Sequence, residues 1–262
     1  MLTETTSWRG LGHIEDLPDE RDKAHRFELL GLPSAAAPAS ANEMDQHYFQ
    51  LDQGGTNACT GFGTKQAIRI WQSENLGEIE IDPSELGIYA NGRSYHPALV
   101  NRDDGGHIRS AFRGLNEFGI IPEARFPFRE DKVNEPPTFS AELKAYKSRH
   151  CRYRRHFSSG DRRLDNLRLS IARRSPVVFG LLVHESFMPE VGHSYIRKPL
   201  GGDPLKGWHC MEIHGYKFDG GQLWFRIGNS WGPWRDGGKA WLSAEYMLDA
   251  VDLWSVELVS SS

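Results

Sequence analysis

The sequence predicts an α+β protein whose helices come before its strands. Two early segments, residues 59–72 and 107–118, place apolar residues along one helical face. Five later runs have the composition of strands, and the turn Phe218–Gly221 between two of them is typical of a hairpin. Because the helical and β-rich parts follow each other along the chain, we expect them to pack as two halves. A cleft between two such halves is a common place for a site.

The length and composition are those of a globular domain. The chain has 262 residues, 39% of them hydrophobic, and a formal net charge of −4. No apolar run approaches the ~18 residues of a membrane-spanning helix, and the N-terminus lacks the basic start and apolar run of a secretory signal. Three cysteines without framework spacing fit a reducing compartment. We therefore expect a cytoplasmic protein without a structural disulfide or a membrane partner.

The chain divides into a short extension and one main domain. Residues 32–42 are small and interrupted by proline, which is typical of a linker. We assign residues 1–42 to the extension and linker, and 43–262 to the domain, with a helical half at about 55–125 and a β-rich half at about 140–262. The charged residues 1–31 are hypothesised to pack against the domain and cover its cleft.

The element predictions are these. The segment 46–59 begins with a short strand and enters a glycine-rich bend; helix 107–118 ends at Gly119; a third helix begins at Asp161 and ends before Pro176. The predicted strands of the second half are Val177–Val183, Met211–Tyr216, Leu223–Ile227, Lys239–Leu242 and Leu253–Val259.

Cys59 lies in the first turn of the first predicted helix, where Asn57 is placed to cap the helix. A thiolate is the reactive form of cysteine, and a helix N-terminus beside a cationic histidine lowers the thiol pKa. Taken alone, Cys59 fits a buried core cysteine better than a nucleophile. The catalytic interpretation therefore depends on partners elsewhere in the chain.

Three residues supply those partners. His209 follows Cys59 by 150 positions, Asn229 follows His209 by 20, and Gln53 precedes Cys59 by six. Asn229 begins the tetrapeptide Asn-Ser-Trp-Gly, whose third residue is Trp231. This order and these motifs resemble the papain-like cysteine peptidases.

Other features refine the resemblance. Gly105 and Gly106 look like the substrate-binding glycine pair of that family, and Trp208 stands directly before the histidine. The usual cysteine that forms a disulfide beside the nucleophile is absent, and Thr60 replaces the aromatic residue that follows it. These departures resemble the bacterial, disulfide-free branch.

The resemblance implies a two-lobed papain-like fold, with a helical lobe, an antiparallel β-barrel-like lobe and the active site in the cleft between them. It also implies peptide-bond hydrolysis in which Cys59 attacks the scissile carbonyl, His209 protonates the leaving amine and Asn229 orients the imidazole. Trp231 would shield that hydrogen bond, and Gln53 would form the oxyanion hole with a backbone N–H.

The resemblance further implies that peptide or protein substrates bind along Gly105, Gly106 and Trp208, with the glycines allowing close approach of the substrate backbone. Two alternatives stay open. The same triad could perform acyl transfer or deamidation, or the cleft could hold peptides without catalysis.

No cofactor or metal is predicted. Cys210, Glu212 and His214 alternate along one predicted strand and share a face, but no further pair at ligand spacing supports a metal site.

Residues 145–174 hold ten Lys and Arg against two Asp, a local charge of +8. This segment could recruit an acidic partner. The apolar stripe of Leu164, Leu167 and Ile171 favours a solvated helix face over nucleic-acid binding.

Overall fold

The computed structural model describes residues 9–25, 37–138, 140–141, 145, 149–188 and 194–260. The predicted α+β class is confirmed. Apart from the two-residue first strand, three of the four larger helices come before the strands, and the fourth lies between two of them. The helices are α1 Cys59–Leu76, α2 Glu85–Arg93, α3 Ile108–Phe118, α4 Gly160–Ala172, and the single turns α5 Trp234–Gly237 and α6 Ala244–Met247. Short 3-10 turns cover Glu43–His47, Glu123–Arg125, Glu130–Lys132 and Glu185–Phe187.

The described strands form one sheet. They are β1 Ser40–Ala41, β2 Arg149–Arg155, β3 Val177–His184, β4 Tyr195–Ile196, β5 Leu205–Asp219, β6 Gln222–Gly228, β7 Lys239–Ser243 and β8 Val251–Ser260. Their order is β2-β8-β3-β5-β6-β7-β4, and β1 pairs with β5. Every pair is antiparallel except β4 with β7, which is parallel.

The predicted hairpin is confirmed between β5 and β6. Gly220 and Gly221 form its two-residue turn with φ of 59° and 76°, and Asp219 pairs with Gln222 across it. Positive φ at both central residues matches the right-handed twist of the strands and favours glycine there.

Both faces of the sheet are covered, and this arrangement positions the site. One core cluster contains Phe179 and Leu181 of β3 with Ile213 of β5, and the other contains Val178 of β3 and Cys59 of α1. Since successive side chains of a strand point to opposite faces, β3 contributes to both clusters. Helix α1 therefore lies on one face of the sheet, and its first residue lies beside β5.

The first predicted helix is confirmed, but its predicted cap is wrong. The helix extends to Leu76 and ends at Gly77, which has a φ of 80°. Ala58, and not Asn57, precedes the first turn. The Asn57 side chain instead accepts a hydrogen bond from the Leu11 backbone N–H at 3.1 Å and donates one to the Asp103 carbonyl at 2.6 Å. A short amide that can bond neighbouring loops does not have to cap its own helix.

Two elements differ from the sequence predictions. Helix α2 was not predicted because it is buried on nearly every side and contains two glycines, so no amphipathic pattern marks it. The short strand predicted at the start of 46–59 is wrong, because a 3-10 turn, Glu43–His47, leads into chain without regular structure.

The described part of the predicted linker is packed. Ala37 is buried, and Ser40 and Ala41 of β1 pair with Lys217 and Tyr216 of β5. Residues 37–41 of the predicted linker are therefore held against the domain by pairing with a long strand. Residues 32–36 of the linker, and residues 1–8 and 26–31 of the extension, lie outside the described residues. Within the described ranges, no helix combines the length and apolarity needed to cross a membrane.

Candidate active site

Cys59 is the first residue of α1, and its side chain is fully buried. Burial raises the pKa of the Cys59 thiol to about 11, although the backbone N–H groups of Cys210 and Gly12 favour the thiolate. Since Cys210 follows His209 on β5, the thiol lies against the strand that carries the histidine. In the form described here, the thiol is protonated at neutral pH.

His209 is held on β5 in one orientation. Its Nε2 lies 2.7 Å from Asn229 Oδ1, and the Ser230 backbone N–H donates to the same oxygen at 2.7 Å. Because that oxygen accepts from Ser230, the amide is oriented with oxygen toward the ring, and Nε2–H is the donor. The other nitrogen, Nδ1, is buried and has no hydrogen-bond partner among the described residues. The neutral ring therefore carries its basic lone pair at Nδ1.

Trp231 covers the imidazole. Its ring stacks on His209 with centroids 4.5 Å apart and planes inclined by 25°. Phe187 packs edge-on against the same indole at 5.9 Å. Burial lowers the pKa of His209 to about 4, against the hydrogen bond to Asn229, which favours the imidazolium. The thiol and the imidazole are thus both neutral in this covered site.

A tyrosine that the sequence analysis missed holds the backbone of Asn229. Tyr48 Oη donates to the Asn229 carbonyl at 2.8 Å and to the Gly238 carbonyl at 3.0 Å. The Asn229 backbone N–H donates in turn to Gly238 at 2.8 Å. No local pattern around Tyr48 signals this role, because it depends on how the loop after β6 folds back.

The amide of Gln53 is also fixed at both ends. Its Oε1 accepts from the Ser230 hydroxyl at 2.5 Å, while its Nε2 donates to the Thr56 carbonyl at 2.6 Å and to the Gly10 carbonyl at 3.2 Å. The first contact ties Gln53 to the loop that carries Asn229. The last contact shows that Nε2 can donate to a carbonyl oxygen from outside the loop.

That carbonyl belongs to a covering segment, residues 10–14, that lies over the site. A Cβ at Gly10 would lie 1.6 Å from the Thr56 carbonyl oxygen, and a Cβ at Gly12 would lie 1.9 Å from that of Asn57. Only glycine allows the two backbones to approach this closely. The hypothesis that the extension packs against the domain holds for this segment.

The covering segment pairs with the predicted substrate-binding residues. The Gly106 N–H donates to the Gly12 carbonyl at 2.8 Å, and the Ile14 N–H donates to the Gly106 carbonyl at 2.9 Å. Between them, the His13 N–H donates to the Trp208 carbonyl at 3.2 Å. An extended chain is therefore bound by main-chain hydrogen bonds, as in strand addition. Gly105, with a φ of 101°, has no room for a Cβ beside the Gly12 carbonyl oxygen.

The His13 side chain enters a pocket of the domain that the sequence analysis did not identify. Its Nε2 lies 3.2 Å from Asp252 Oδ2, and both side chains are fully buried. A Cβ built on Gly180 of β3 would lie 2.2 Å from the same ring nitrogen. Asp252, Gly180 and Trp208 thus surround the imidazole.

The structure joins His209, Asn229, Trp231 and Gln53 through the hydrogen bond of His209 to Asn229, the stacking of Trp231 on the imidazole and the bond of Ser230 to Gln53. The Cys59 thiol lies against Cys210, the neighbour of His209 on β5, and Gly105, Gly106 and Trp208 contact the covering segment. They come from loops and elements far apart in sequence. The sheet register brings them to one place.

The strand considered for a metal site carries other interactions. Glu212 and His214 are bonded to each other at 2.9 Å, and the other ring nitrogen of His214 lies 3.0 Å from Asp45. Cys210 Sγ instead faces Gly63 of α1. All three cysteines have free thiols. Across the described ranges, no cluster of three or more His, Cys, Asp or Glu side chains has the arrangement of a metal site.

The basic segment 145–174 contains β2 and α4, and several of its arginines bind the chain itself. Arg155 contacts Asp22 at 2.8 Å, Arg163 donates to the Leu248 and Ala250 carbonyls, and Arg168 donates to the Pro38 carbonyl. The solvated-helix interpretation does not apply to Arg155, which is in β2. The acidic partner stays a prediction.

Comparison with known proteins gives relatives in sequence and fold. The chain is 25% identical over 284 residues to an uncharacterised peptidase C1-like protein of Acanthamoeba polyphaga mimivirus, covering 99% of this chain and 90% of the relative. No protein-family profile matches it. Among solved structures, xylellain, a cysteine protease from Xylella fastidiosa, superposes with a TM-score of 0.81 and 27% identity over 95% of this chain and 96% of that one.

A digestive procathepsin L 3 from Tenebrio molitor superposes with a TM-score of 0.66 and 22% identity, over 90% of this chain and 75% of that one. The predicted resemblance to papain-like cysteine peptidases, and the predicted fold, are confirmed.

Proposed function

We propose that this papain-like, cysteine-type peptidase hydrolyses peptide bonds through Cys59, His209 and Asn229. The observation that carries the proposal is the orientation of the imidazole. Asn229 and Ser230 fix the proton of His209 on Nε2, so Nδ1 is left to exchange a proton with the thiol. A nucleophile, a base and a group that orients the base are the parts that covalent acyl transfer needs.

In the proposed reaction, His209 takes the proton of Cys59 and the thiolate attacks the scissile carbonyl carbon. The C–N bond breaks as His209 returns the proton to the leaving amine, and a thioester to Cys59 remains. Water then attacks the thioester with His209 as base. The products are a new carboxylate and the free thiol.

The oxyanion of each tetrahedral intermediate would be stabilised by Gln53 Nε2 and the Cys59 backbone N–H. The Gly10 carbonyl supports this role, because it is a peptide oxygen that already accepts from Gln53 Nε2 at 3.2 Å. A substrate carbonyl that replaced it would meet a donor whose position Ser230 and Thr56 fix.

We propose further that the covering segment keeps the enzyme inactive. It occupies the backbone-binding groups of Gly106 and Trp208, and it contributes to the burial that keeps thiol and imidazole neutral. Departure of the segment would let water reach the pair. The thiolate and imidazolium would then become the favoured forms.

The first test is labelling of the reduced full-length protein with a peptidyl epoxide, followed by intact mass. One adduct is expected, absent in Cys59→Ala and slowed in His209→Ala. Cys151→Ala is the matched control, because Cys151 is an equally free and buried thiol outside the site. Adducts on Cys151 or Cys210 would contradict the proposal, as would the absence of any adduct in the double variant Gly10→Ala/Gly12→Ala, in which the covering segment cannot seat.

A second test separates hydrolysis from acyl transfer. Peptide cleavage in ¹⁸O-water is expected to place one ¹⁸O atom in the new C-terminal carboxylate. Products joined to an added amine, without a new carboxylate, would instead show acyl transfer by the same thioester.

A further inference from the structure

We propose that the pocket filled by His13 selects substrates, and that it takes a basic side chain, Arg, Lys or His, through Asp252. This inference rests on the proposed peptidase function. It names the substrate class of the same site, which the sequence motifs do not specify.

The backbone register fixes which substrate residue enters the pocket. Gly106 binds the chain on both sides of His13, through the Gly12 carbonyl and the Ile14 N–H. The adjoining residue Gly12 directs its N–H to the Cys59 thiol. In a bound substrate, the residue that pairs with Gly106 is therefore the direct neighbour of the residue that lies at Cys59, as His13 is the neighbour of Gly12.

Glycine at position 180 gives the pocket its depth. The ring of His13 fills the place where a side chain of β3 would project, since a Cβ there would lie 2.2 Å from Nε2 and 2.3 Å from Cδ2 of the ring. The backbone of Gly180 is extended and its φ is not positive, so the missing side chain is not needed for chain conformation. The glycine opens space for a large side chain.

The charge at the base of the pocket decides the chemistry. Asp252 Oδ1 is bound by Arg155 at 2.8 Å, whereas Oδ2 faces His13 at 3.2 Å and accepts from the Asp16 backbone N–H at 2.6 Å. Asp16 and His13 both belong to the N-terminal extension. When they leave, Oδ2 loses both neighbours while Arg155 stays on the other oxygen.

A buried carboxylate oxygen without a donor is unfavourable, so the pocket binds best a side chain that brings N–H groups to it. Asp16, which also faces this region and bonds Trp254 Nε1 at 3.0 Å, leaves with the extension. His107 lies 3.6 Å from Asp16, and in the covered protein burial lowers its pKa to about 4. The charged side chains of the domain that stay include Asp252, the Arg155 bound to its Oδ1, and Arg109, whose guanidinium lies over the Trp254 ring at 5.7 Å. Of these, Asp252 is the group that faces His13.

The test uses dipeptidyl acyloxymethyl ketones that differ only in the residue expected to pair with Gly106: Arg, Lys, Leu, Ala or Glu. Rates of Cys59 labelling are read by intact mass on the full-length protein. Probe concentrations are kept low enough that the labelling rate is proportional to probe concentration, so departure of the covering segment slows every probe by the same factor and leaves the ratios unaffected. We expect Arg and Lys to label at least tenfold faster than Leu, and Glu to be slowest.

Asp252→Asn is the decisive variant. Asp252 has a φ of 49°, a conformation that asparagine tolerates, so the substitution removes charge without straining the backbone. The Arg to Leu ratio is expected to fall to about 1, with the Leu rate changed less than about threefold. A retained ratio would overturn the inference.

Gly180→Ala gives a second readout if the first variant folds poorly. It leaves Asp252 in place and narrows the pocket, so the Arg rate is expected to fall at least tenfold relative to the Ala probe. Equal labelling by all probes of the wild-type protein, or fastest labelling by Glu, would overturn the pocket assignment alone. Absence of labelling by any probe, in the wild type and also in Gly10→Ala/Gly12→Ala, would overturn the proposed function and this inference with it.

Discussion

Gln53 shows how one side chain joins the loop that carries Asn229 to the proposed oxyanion site. Its carbonyl end holds the Ser230 hydroxyl, and its amino end bonds Thr56 and Gly10. The carbonyl end is thus structural, whereas the amino end holds Thr56 and, in the proposal, also donates to the oxyanion. A substitution that keeps the shape but removes the amino end removes the proposed donor.

Gln53→Glu is expected to lower kcat by about 10²- to 10³-fold, because a carboxylate cannot donate to the oxyanion. KM should change little, since the donor acts mainly on the charge that develops in the transition state. Steady-state kinetics on a fluorogenic peptide would measure both. Gln222→Glu, on the exposed β5–β6 turn, is the matched control and should leave kcat unchanged. A rise in KM at constant kcat would assign Gln53 to substrate binding instead.

Among single residues, the sequence pointed to those that belong to a recognisable motif. It did not point to those whose position depends on how distant segments pack. Cys59, His209 and Asn229 could be proposed as a triad because their order and flanking residues are distinctive. Asp252 was missed because it reaches the site only through the pairing of β8 with β3. Asn57 was misjudged because its amide bonds two loops instead of its own helix.

Among the elements, α1 and α2 are joined by a buried charge cluster. Lys65 Nζ lies 2.9 Å from Glu85 and 3.3 Å from Glu123, and the side chains of Lys65 and Glu85 are only 3% and 4% exposed. Burial raises the pKa of Glu85 to about 8, with a contribution from the neighbouring Glu123 and opposition from Lys65. The Lys65 ammonium group thus contacts both carboxyl groups, and helix packing has removed that of Glu85 from water.

Lys65→Met should destabilise the protein by about 1–3 kcal/mol, because it removes the buried donor that Glu85 and Glu123 share and leaves their oxygens unsatisfied. Urea unfolding followed by circular dichroism measures the change in free energy of unfolding. Lys132→Met, which breaks the exposed pair with Glu135, should change it by less than about 1 kcal/mol. Equal effects of the two variants would show that the cluster does not hold α1 to α2.

The pKa of Glu85 also predicts a pH dependence of stability. The folded pKa of about 8 lies above the ordinary glutamate pKa of 4.5, so the native state binds the proton more tightly than the unfolded chain. This contribution to stability is full below about pH 4.5 and is lost as the pH rises through 8. Glu85→Gln should flatten the free energy of unfolding over that window. An unchanged pH profile in the variant would assign the dependence to other groups.

The elements that the sequence predicted well have one buried face. Helix α3 was predicted from its spaced apolar residues, and its end at Gly119 was predicted correctly. Helix α2 is buried nearly all round, and β2 is rich in arginine, so neither shows the expected period. Strand β5 was predicted over six residues and spans 15, because backbone pairing with β3 and β6 continues into polar residues at both ends.

Across the whole molecule, ion pairs as well as the covering segment hold the N-terminal extension to the domain. Asp22 pairs with Arg109 at 2.6 Å and Arg155 at 2.8 Å, so part of the positive charge noted in the sequence holds the extension in place. The sequence suggested an extension that covers the cleft. It could not indicate the path, because backbone pairing with Gly106 leaves no side-chain pattern.

The proposed latency predicts that a looser covering segment activates the enzyme. In the double variant Gly10→Ala/Gly12→Ala, each new methyl group would overlap a carbonyl oxygen of the loop before α1, so the segment cannot seat as it does now. Peptidase activity is expected to rise at least tenfold. Gly201→Ala is the matched control, because that position is open and a Cβ there meets no other atom within 4 Å.

The pH dependence of Cys59 alkylation distinguishes release of the segment from damage to the fold. In the covered protein, burial raises the pKa of Cys59 to about 11 and lowers that of His209 to about 4, so the reactive thiolate accumulates only toward pH 11. Release exposes the pair to water, which lowers the first pKa and raises the second. The double variant should therefore react with iodoacetamide fastest relative to the wild type between pH 6 and 8, with convergence near pH 11. A ratio that stays constant across this range would mean that the substitutions changed access to the thiol but not its ionisation, and the electrostatic account of latency would be wrong.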